Sequence, residues 1–162
     1  MSGIVVCNTG PLIALATAES LVLLDHLFDR VLIPEPVRSE LQASTRLPKT
    51  WDEIARNVTR VEVCLAGTID QLLASVLDAG EGAVIQLARE RRAEWVLMDE
   101  RKGRRVAREI YQLQVIGSAG LLLRAKKQGL IPNIADRLKR MRESGYYLHE
   151  RIITRMLRAA NE

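Results

Sequence analysis

The sequence contains few of the residues that build zinc sites, disulfides or histidine-based triads. Its two cysteines, Cys7 and Cys64, follow no metal or disulfide spacing, and each lies in a strand-like run. Its two histidines, His26 and His149, are isolated from each other. A zinc site or a Ser-His-Asp triad therefore has almost no support. We expect buried free thiols in a cytoplasmic protein.

Long apolar runs and nucleotide-binding motifs are also missing. No window approaches the ~18 apolar residues of a membrane span. The apolar start of the chain has no basic leader and is broken at Asn8 to Pro11, so we do not expect a signal peptide. The stretch DAGEG has neither the spacing nor the lysine of a phosphate-binding loop, which argues against a Rossmann-type cofactor site.

Aromatic residues are scarce, whereas charge is plentiful and uneven. With one Phe, two Trp and three Tyr, the chain has few platforms for stacking bases, so charge should lead any nucleic-acid binding. Residues 1–88 contain 6 Lys/Arg and 11 Asp/Glu, a net charge of −5, and residues 89–162 contain 18 and 9, a net charge of +9. The basic half points toward a polyanion, although solvated helix faces often look the same.

Apolar segments and helical patterns alternate along one continuous domain, predicted over residues 1–162. The strand candidates are Ile4–Cys7, Val31–Ile33, Val58–Cys64, Trp95–Met98 and Leu113–Ile116. Apolar spacings of three and four between them indicate helices. The first pattern runs from Leu12 to Phe28, and the last two form a C-terminal helical extension at about 132–162. Strands apolar throughout predict an α/β/α sandwich with a central parallel sheet of about five strands.

Polar side chains lie just past several strands, where the ligand crevice of a parallel sheet is found. One further polar residue, Glu81, lies at the start of the helix that leads into the fourth strand. The full set is Asn8, Glu40, Glu81, Asp99, Glu100 and Ser118. Carboxylate and amide oxygens at one sheet edge are the ligands that a hard cation such as Mg²⁺ or Mn²⁺ prefers.

Each of these residues also has a structural explanation. Asn8 can cap the first helix. Asp78 and Glu81 have the spacing of a capping box, in which Glu81 binds the backbone. Asp99 can cap the helix that follows it, and Glu40 can be a surface residue. Singly, the structural explanations are the better ones. Because separate segments place these residues at one edge, the set as a whole favours a functional site.

A second informative stretch, DERKGRRVARE, follows the fourth strand. Four arginines stand there at helical spacing and form one face, namely Arg101, Arg104, Arg105 and Arg108. Alone, such a face is most simply a solvated stripe. Beside a group of carboxylates it also suits an RNA backbone, with a cation at the reacting phosphate and the arginines at its neighbours.

The chain resembles the PIN-domain family in segments spread over nearly its whole length. They are VVCNTGPLIALA, IPEPVRSEL, LDAGEGAVIQLARE, VLMDERKGRRVAR, LQVIGSAGLLLRAK and ESGYYLHERIITRML. Within that family the chain is similar to a prokaryotic branch of small stand-alone proteins close to VapC-type toxins. The resemblance implies a parallel α/β/α sandwich whose acidic residues bind Mg²⁺ or Mn²⁺, and endoribonuclease activity.

Matched by motif, the implied acidic site consists of Glu40, Glu81 and Asp99. Glu100 matches a more variable polar position, and Ser118 matches a Ser/Thr that hydrogen-bonds within the site. Asn8 occupies the position of the first acidic residue of the family. Its carbonyl can still bind a hard cation or a metal-bound water, but the site has one negative charge fewer. We expect a weaker metal site, with one ion rather than two.

Two functions remain open at this point. The first is an Mg²⁺- or Mn²⁺-dependent endoribonuclease that hydrolyses RNA phosphodiester bonds as the toxin of a toxin–antitoxin pair. The alternative is a catalytically weak PIN scaffold that binds RNA or a regulatory protein. The partners implied are RNA, a cognate antitoxin and a second copy of the chain in a homodimer, with no membrane.

Overall fold

The computed structural model describes residues 3–44 and 50–162 and contains a parallel five-stranded sheet. The strands are β1 (Ile4–Cys7), β2 (Arg30–Pro34), β3 (Val61–Cys64), β4 (Trp95–Leu97) and β5 (Val115–Ile116). Their order is β3-β2-β1-β4-β5, and each neighbouring pair is parallel. The fold predicted from the sequence is confirmed.

Helices connect the strands and follow the last one. They are α1 (Thr9–Thr17), α2 (Leu23–Leu27), α3 (Glu35–Ala43), α4 (Thr50–Asn57), α5 (Gln71–Val76), α6 (Ala79–Glu90), α7 (Arg101–Glu109), α8 (Ser118–Lys127), α9 (Ala135–Glu143) and α10 (Glu150–Ala159). Val5, Val6 and Cys7 in the central strand β1 are fully buried. Because successive side chains of a strand point to opposite faces, helices must cover both faces of the sheet there.

The helical pattern from Leu12 to Phe28 is not one helix, as the spacing predicted, but two. Glu19 lies between α1 and α2 with φ of 52°, in the left-handed region where a helix commonly ends. Ser20 is buried there and donates its hydroxyl to the Ala18 carbonyl at 2.8 Å. The apolar spacing continues across the break because both helices pack against one core, so periodicity cannot locate the turn.

The predicted C-terminal extension is formed by α9, which packs on α1, and α10, which packs on α8. The carboxylate of Glu162 accepts hydrogen bonds from Lys126 Nζ at 2.8 Å and from the backbone N–H of Ile134 at 2.9 Å. The segment 144–149 joins the two helices and brings Tyr146 back toward the sheet. No helix in the described part of the chain is long and apolar enough to span a membrane.

Candidate active site

The carboxyl ends of β1, β2 and β4 lie next to one another in the sheet, because β1 pairs with both of the others. Asn8 directly follows β1, and α3, which contains Glu40, directly follows β2. Asp99 comes two residues after the end of β4, and Ser118 begins α8 after β5. The parallel topology therefore places these residues along one edge of the sheet.

Asn8 occupies the N-cap position of α1, but its side chain makes no capping hydrogen bond. Its backbone N–H donates to the Leu97 carbonyl at 3.0 Å, which extends the pairing of β1 with β4 by one residue. The residue is 8% exposed and lines a cleft. The structural explanation of Asn8 as a side-chain cap is wrong, and the residue lines the cleft instead.

This cleft, which we call the acidic pocket, has a volume of about 450 Å³ and is lined by Asn8, Thr9, Gly10, Glu40 and Asp78, among others. The Thr9 hydroxyl donates to Glu40 Oε2 at 2.6 Å. A β-carbon at Gly80 would lie 2.5 Å from Glu40 Oε1. Glu40 is solvent-exposed but held over the start of α6, so it is more than an isolated surface residue.

Glu81 takes part in the capping box predicted from its spacing. Its backbone N–H donates to Asp78 Oδ1 at 2.8 Å, and its Oε2 accepts from the Asp78 N–H at 3.3 Å. Burial and then the negative charges of Asp78, Glu100 and Glu40 raise the pKa of Glu81 above its usual value. Glu81 therefore caps α6 and also lies among other acidic residues.

Asp99 does not cap α7, which is capped by the side chain of Glu100. Its carboxylate instead accepts two hydrogen bonds from Ser118, from the backbone N–H to Oδ1 and from the hydroxyl to Oδ2, both at 2.7 Å. Ser118 is fully buried. The carboxylate is therefore fixed at the edge of the sheet by the first residue of α8.

Tyr146 is a residue of this site that the sequence analysis missed. Its hydroxyl donates to Asp99 Oδ2 at 2.5 Å, and a β-carbon at Gly10 would lie 3.1 Å from the same hydroxyl. The tail segment that carries Tyr146 belongs to the family resemblance, but no spacing connects it with β4. A hydrogen bond between residues 47 positions apart leaves no local pattern to detect.

The arginines of α7 do not share one environment. Arg101, Arg105 and Arg108 are exposed, and Arg105 pairs with Glu109 at 3.0 Å. Arg104 turns inward, where its Nη1 donates to the Met98 carbonyl at 2.8 Å. Burial, followed by the charge of Arg108, lowers the pKa of Arg104. Arg104 also lies beside Asp99, because both side chains approach Gly117. A β-carbon built on Gly117 would lie 2.8 Å from Arg104 Nη1 and 2.7 Å from Asp99 Oδ1.

The donor chemistry of the edge fits a hard cation. Burial contributes most to the raised pKa of Glu81, and the negative charges of neighbouring carboxylates add to it; a divalent cation would neutralise those charges. Among residues 3–44 and 50–162, no three His, Cys, Asp or Glu side chains already form a metal-binding group. Glu40 and Glu100 are exposed and can change rotamer, so oxygen ligands for Mg²⁺ or Mn²⁺ are within reach of Glu81.

The chain matches a known protein family. A family model described as a PIN domain covers residues 4–162, which include every residue of the site. No curated protein matches the chain significantly.

Proposed function

The chain belongs to the PIN-domain family, a family of nuclease-type folds, and on this basis we propose that it is an endoribonuclease that uses Mg²⁺ or Mn²⁺ to hydrolyse RNA phosphodiester bonds. The observation that carries the proposal is the closeness of several carboxylates at the carboxyl edge of the sheet: Glu40 lies over Gly80 at the start of α6, and the charges of Asp78, Glu100 and Glu40 act on Glu81 in addition to its burial. A structural capping box alone needs Asp78 and Glu81, and has no use for Glu40 or Glu100 nearby.

The residues that would hold the cation are Glu40, Glu81 and Asp99, with the Asn8 carbonyl and Glu100 as further oxygen donors. The cation supplies positive charge that activates water and stabilises the leaving oxygen in phosphodiester hydrolysis. Asn8 brings no charge of its own, so its contribution is orientation. Ser118 fixes the rotamer of Asp99 through two hydrogen bonds, as outer partners of metal ligands commonly do.

Glu81 is placed to orient the attacking water. Burial, followed by the charge of Asp78, raises its pKa in the absence of a cation, and a bound cation would lower it again. Its bond to the Asp78 N–H uses Oε2, so Oε1 can accept a hydrogen bond from the water while the water proton passes to solvent. The water oxygen bonds to phosphorus as the bond from phosphorus to the leaving oxygen breaks, and the leaving oxygen takes up a proton from solvent.

Arg104 is positioned to contact an RNA phosphate beside Asp99. One of its donors binds the Met98 carbonyl, and a guanidinium has five N–H donors in a fork that matches phosphate oxygens. Its partial burial strengthens such a contact relative to the exposed Arg101 and Arg108. We therefore assign Arg104 to the site, and the exposed arginines to the flanking backbone.

One observation favours the alternative, a PIN scaffold with weak activity. Asn8 brings no negative charge, and the Asp99 carboxylate already accepts three hydrogen bonds from the protein. Such a scaffold would bind RNA through its basic half without cutting it. The toxin role, the cognate antitoxin and the homodimer implied by the resemblance remain predictions, as does the cytoplasmic location expected from the free cysteines.

Cleavage of a mixed RNA pool with and without Mn²⁺ tests the two functions directly. The nuclease proposal predicts cleavage that requires Mn²⁺ and falls by at least ~100-fold in Asp99→Asn, because the variant loses a charged ligand but keeps its size. Asp136→Asn, which removes an exposed charge on α9, is the matched control and should cleave like the wild type. RNA bound but uncut by the wild type and by Asp99→Asn alike would support the scaffold instead.

A further inference from the structure

Tyr146 reaches the candidate site from the C-terminal extension. The turn after α9 contains Gly145 with φ of 88°, and the Tyr146 N–H donates to the Met141 carbonyl at 3.0 Å. The side chain is partly buried, whereas the neighbouring Tyr147 is 79% exposed. The backbone of the turn thus directs Tyr146, and not Tyr147, toward the edge of the sheet.

The two oxygens of Asp99 face different surroundings. Oδ1 lies next to Gly117 and accepts from the Ser118 N–H, on the side of β5. Oδ2 is bound by the Tyr146 hydroxyl, which is also close to Gly10. Gly10 lines the acidic pocket together with Glu40. The Tyr146 hydroxyl therefore lies next to a residue that lines the pocket, and Oδ2 is the oxygen of Asp99 that it holds.

The hydrogen bonds leave Oδ2 with no room for a cation. A carboxylate oxygen accepts about two hydrogen bonds, and Oδ2 already accepts one from the Ser118 hydroxyl at 2.7 Å and one from Tyr146 at 2.5 Å. The bond from buried Ser118 is part of the sheet edge. The bond from Tyr146 comes from a connecting segment between helices, so it is the one that can be released.

We propose that Tyr146 competes with the divalent cation for Asp99: its hydroxyl, next to Gly10, holds Oδ2 of the carboxylate and must release it before the cation binds there. The inference rests on the proposed function, because the cation belongs to that function. It makes the C-terminal extension a regulator of metal affinity.

Calorimetric titration of Mn²⁺ in the absence of RNA tests this inference. Tyr146→Phe removes the hydroxyl and keeps the ring, so its affinity for Mn²⁺ should be on the order of tenfold or more higher than that of the wild type, the value of one hydrogen bond to a charged group. Tyr147→Phe removes a hydroxyl from the adjacent exposed tyrosine and should bind Mn²⁺ like the wild type. Thermal unfolding of both variants checks that they are folded.

A double-mutant cycle assigns the gain to Asp99. The gain from Tyr146→Phe should disappear in the background of Asp99→Asn, which cannot bind the cation in the same way. Unchanged or weaker Mn²⁺ affinity in Tyr146→Phe would overturn the inference, and so would a gain that survives in Asp99→Asn.

The RNA cleavage assay distinguishes this failure from failure of the proposed function. Mn²⁺-dependent cleavage by the wild type, combined with no gain in Tyr146→Phe, would reject the role of Tyr146 alone. No Mn²⁺ binding by the wild type or by Tyr146→Phe, combined with no cleavage, would reject both. In a third outcome, the wild type does not cleave RNA but Tyr146→Phe binds Mn²⁺ more tightly than the wild type. That outcome would support competition between Tyr146 and the cation and would reject only the activity of the wild type.

Discussion

Asn8 fits two patterns in the sequence, a helix cap and a site residue, and only the second agrees with its place in the structure. Its position before α1 predicts a helix cap, but its side chain makes no capping bond, and the residue lines the acidic pocket. Glu81 is the opposite case, because the capping box forms and acidic neighbours still surround it. A capping pattern therefore neither excludes nor establishes a role in the site.

Replacing Asn8 by aspartate tests whether the missing charge limits the site. We expect Asn8→Asp to bind Mn²⁺ at least ~10-fold more tightly and to cleave RNA faster, because a unit charge at ~4 Å from a cation contributes at most about 4 kcal/mol at an effective dielectric near 20. Repulsion from Glu40 and Asp78 in the same pocket offsets part of that gain. Calorimetric Mn²⁺ titration and the RNA cleavage assay measure the two effects.

Asn133→Asp is the matched control for this substitution. The Asn133 side chain accepts from the Asp136 N–H at 3.2 Å, a bond that aspartate can also accept, so the change adds the same charge away from the acidic pocket. It should leave Mn²⁺ affinity unchanged. If Asn8→Asp binds Mn²⁺ no better than Asn133→Asp, charge at Asn8 does not limit the site.

At the scale of elements, strands were easier to predict than helices. The central strands β1 and β4 lie within apolar runs of the sequence, because a strand buried on both faces must be apolar at nearly every position. The edge strand β3 contains the exposed residue Glu62 and begins at Val61, three residues after the predicted start at Val58. Helix α4 was not predicted from the sequence. Its described buried residues are Thr50 and Ile54, and two buried positions are too few to show a helical period in the apolar residues. The break at Glu19 was not predicted, because the apolar residues of α1 and α2 pack on one core and keep the same spacing. The role of Tyr146 was not predicted, because its hydrogen-bond partner Asp99 is distant in sequence.

Asp25 provides a measurable link between two of these elements. Its carboxylate joins α2 to the start of β3 by accepting from the Thr59 N–H at 2.7 Å, the Thr59 hydroxyl at 2.8 Å and the Arg60 N–H at 3.1 Å. Burial opposes ionisation, but these hydrogen bonds outweigh it and hold the pKa of Asp25 below its usual value. The ionised form thus contributes stability above pH ~4, which is lost as the pH falls through the lowered pKa.

Asp25→Asn should therefore destabilise the protein by about 1 kcal/mol at pH 7, since an amide oxygen replaces a charged acceptor that is partly exposed. The difference from the wild type should shrink as the pH falls below ~4, where the wild type also loses its charge. Urea unfolding at both pH values measures it. Asp52→Asn, on the exposed face of α4, should cost less than ~0.5 kcal/mol, and an equal loss in both variants would contradict the role of Asp25.

At the scale of the whole molecule, the uneven charge of the two halves has a structural counterpart. The acidic pocket is lined by Asn8, the first turns of α1, the end of α3 and Asp78 before α6, all within residues 1–88. Helices α7, α9 and α10 carry most of the positive charge of residues 89–162. The sheet edge joins the two, because Asp99 follows β4 and Asn8 follows β1. An RNA strand led to this edge by the basic half would meet the carboxylates there.

The salt dependence of RNA binding tests whether α7 guides the strand. Arg101 and Arg108 are exposed, and removing one phosphate-binding side chain should reduce the slope of log affinity for a single strand against log salt by about 0.7. Replacing both by alanine should therefore lower the slope by about 1.4 and weaken binding to all RNA sequences alike.

The matched control replaces Arg30 and Arg56 by alanine. These two arginines pair with glutamates within residues 1–88, so the control should leave the slope unchanged. Arg104 is unsuitable for this test, because its bond to the Met98 carbonyl mixes structure with binding. Equal slopes for the α7 variant and the wild type would place the RNA on another part of the basic half.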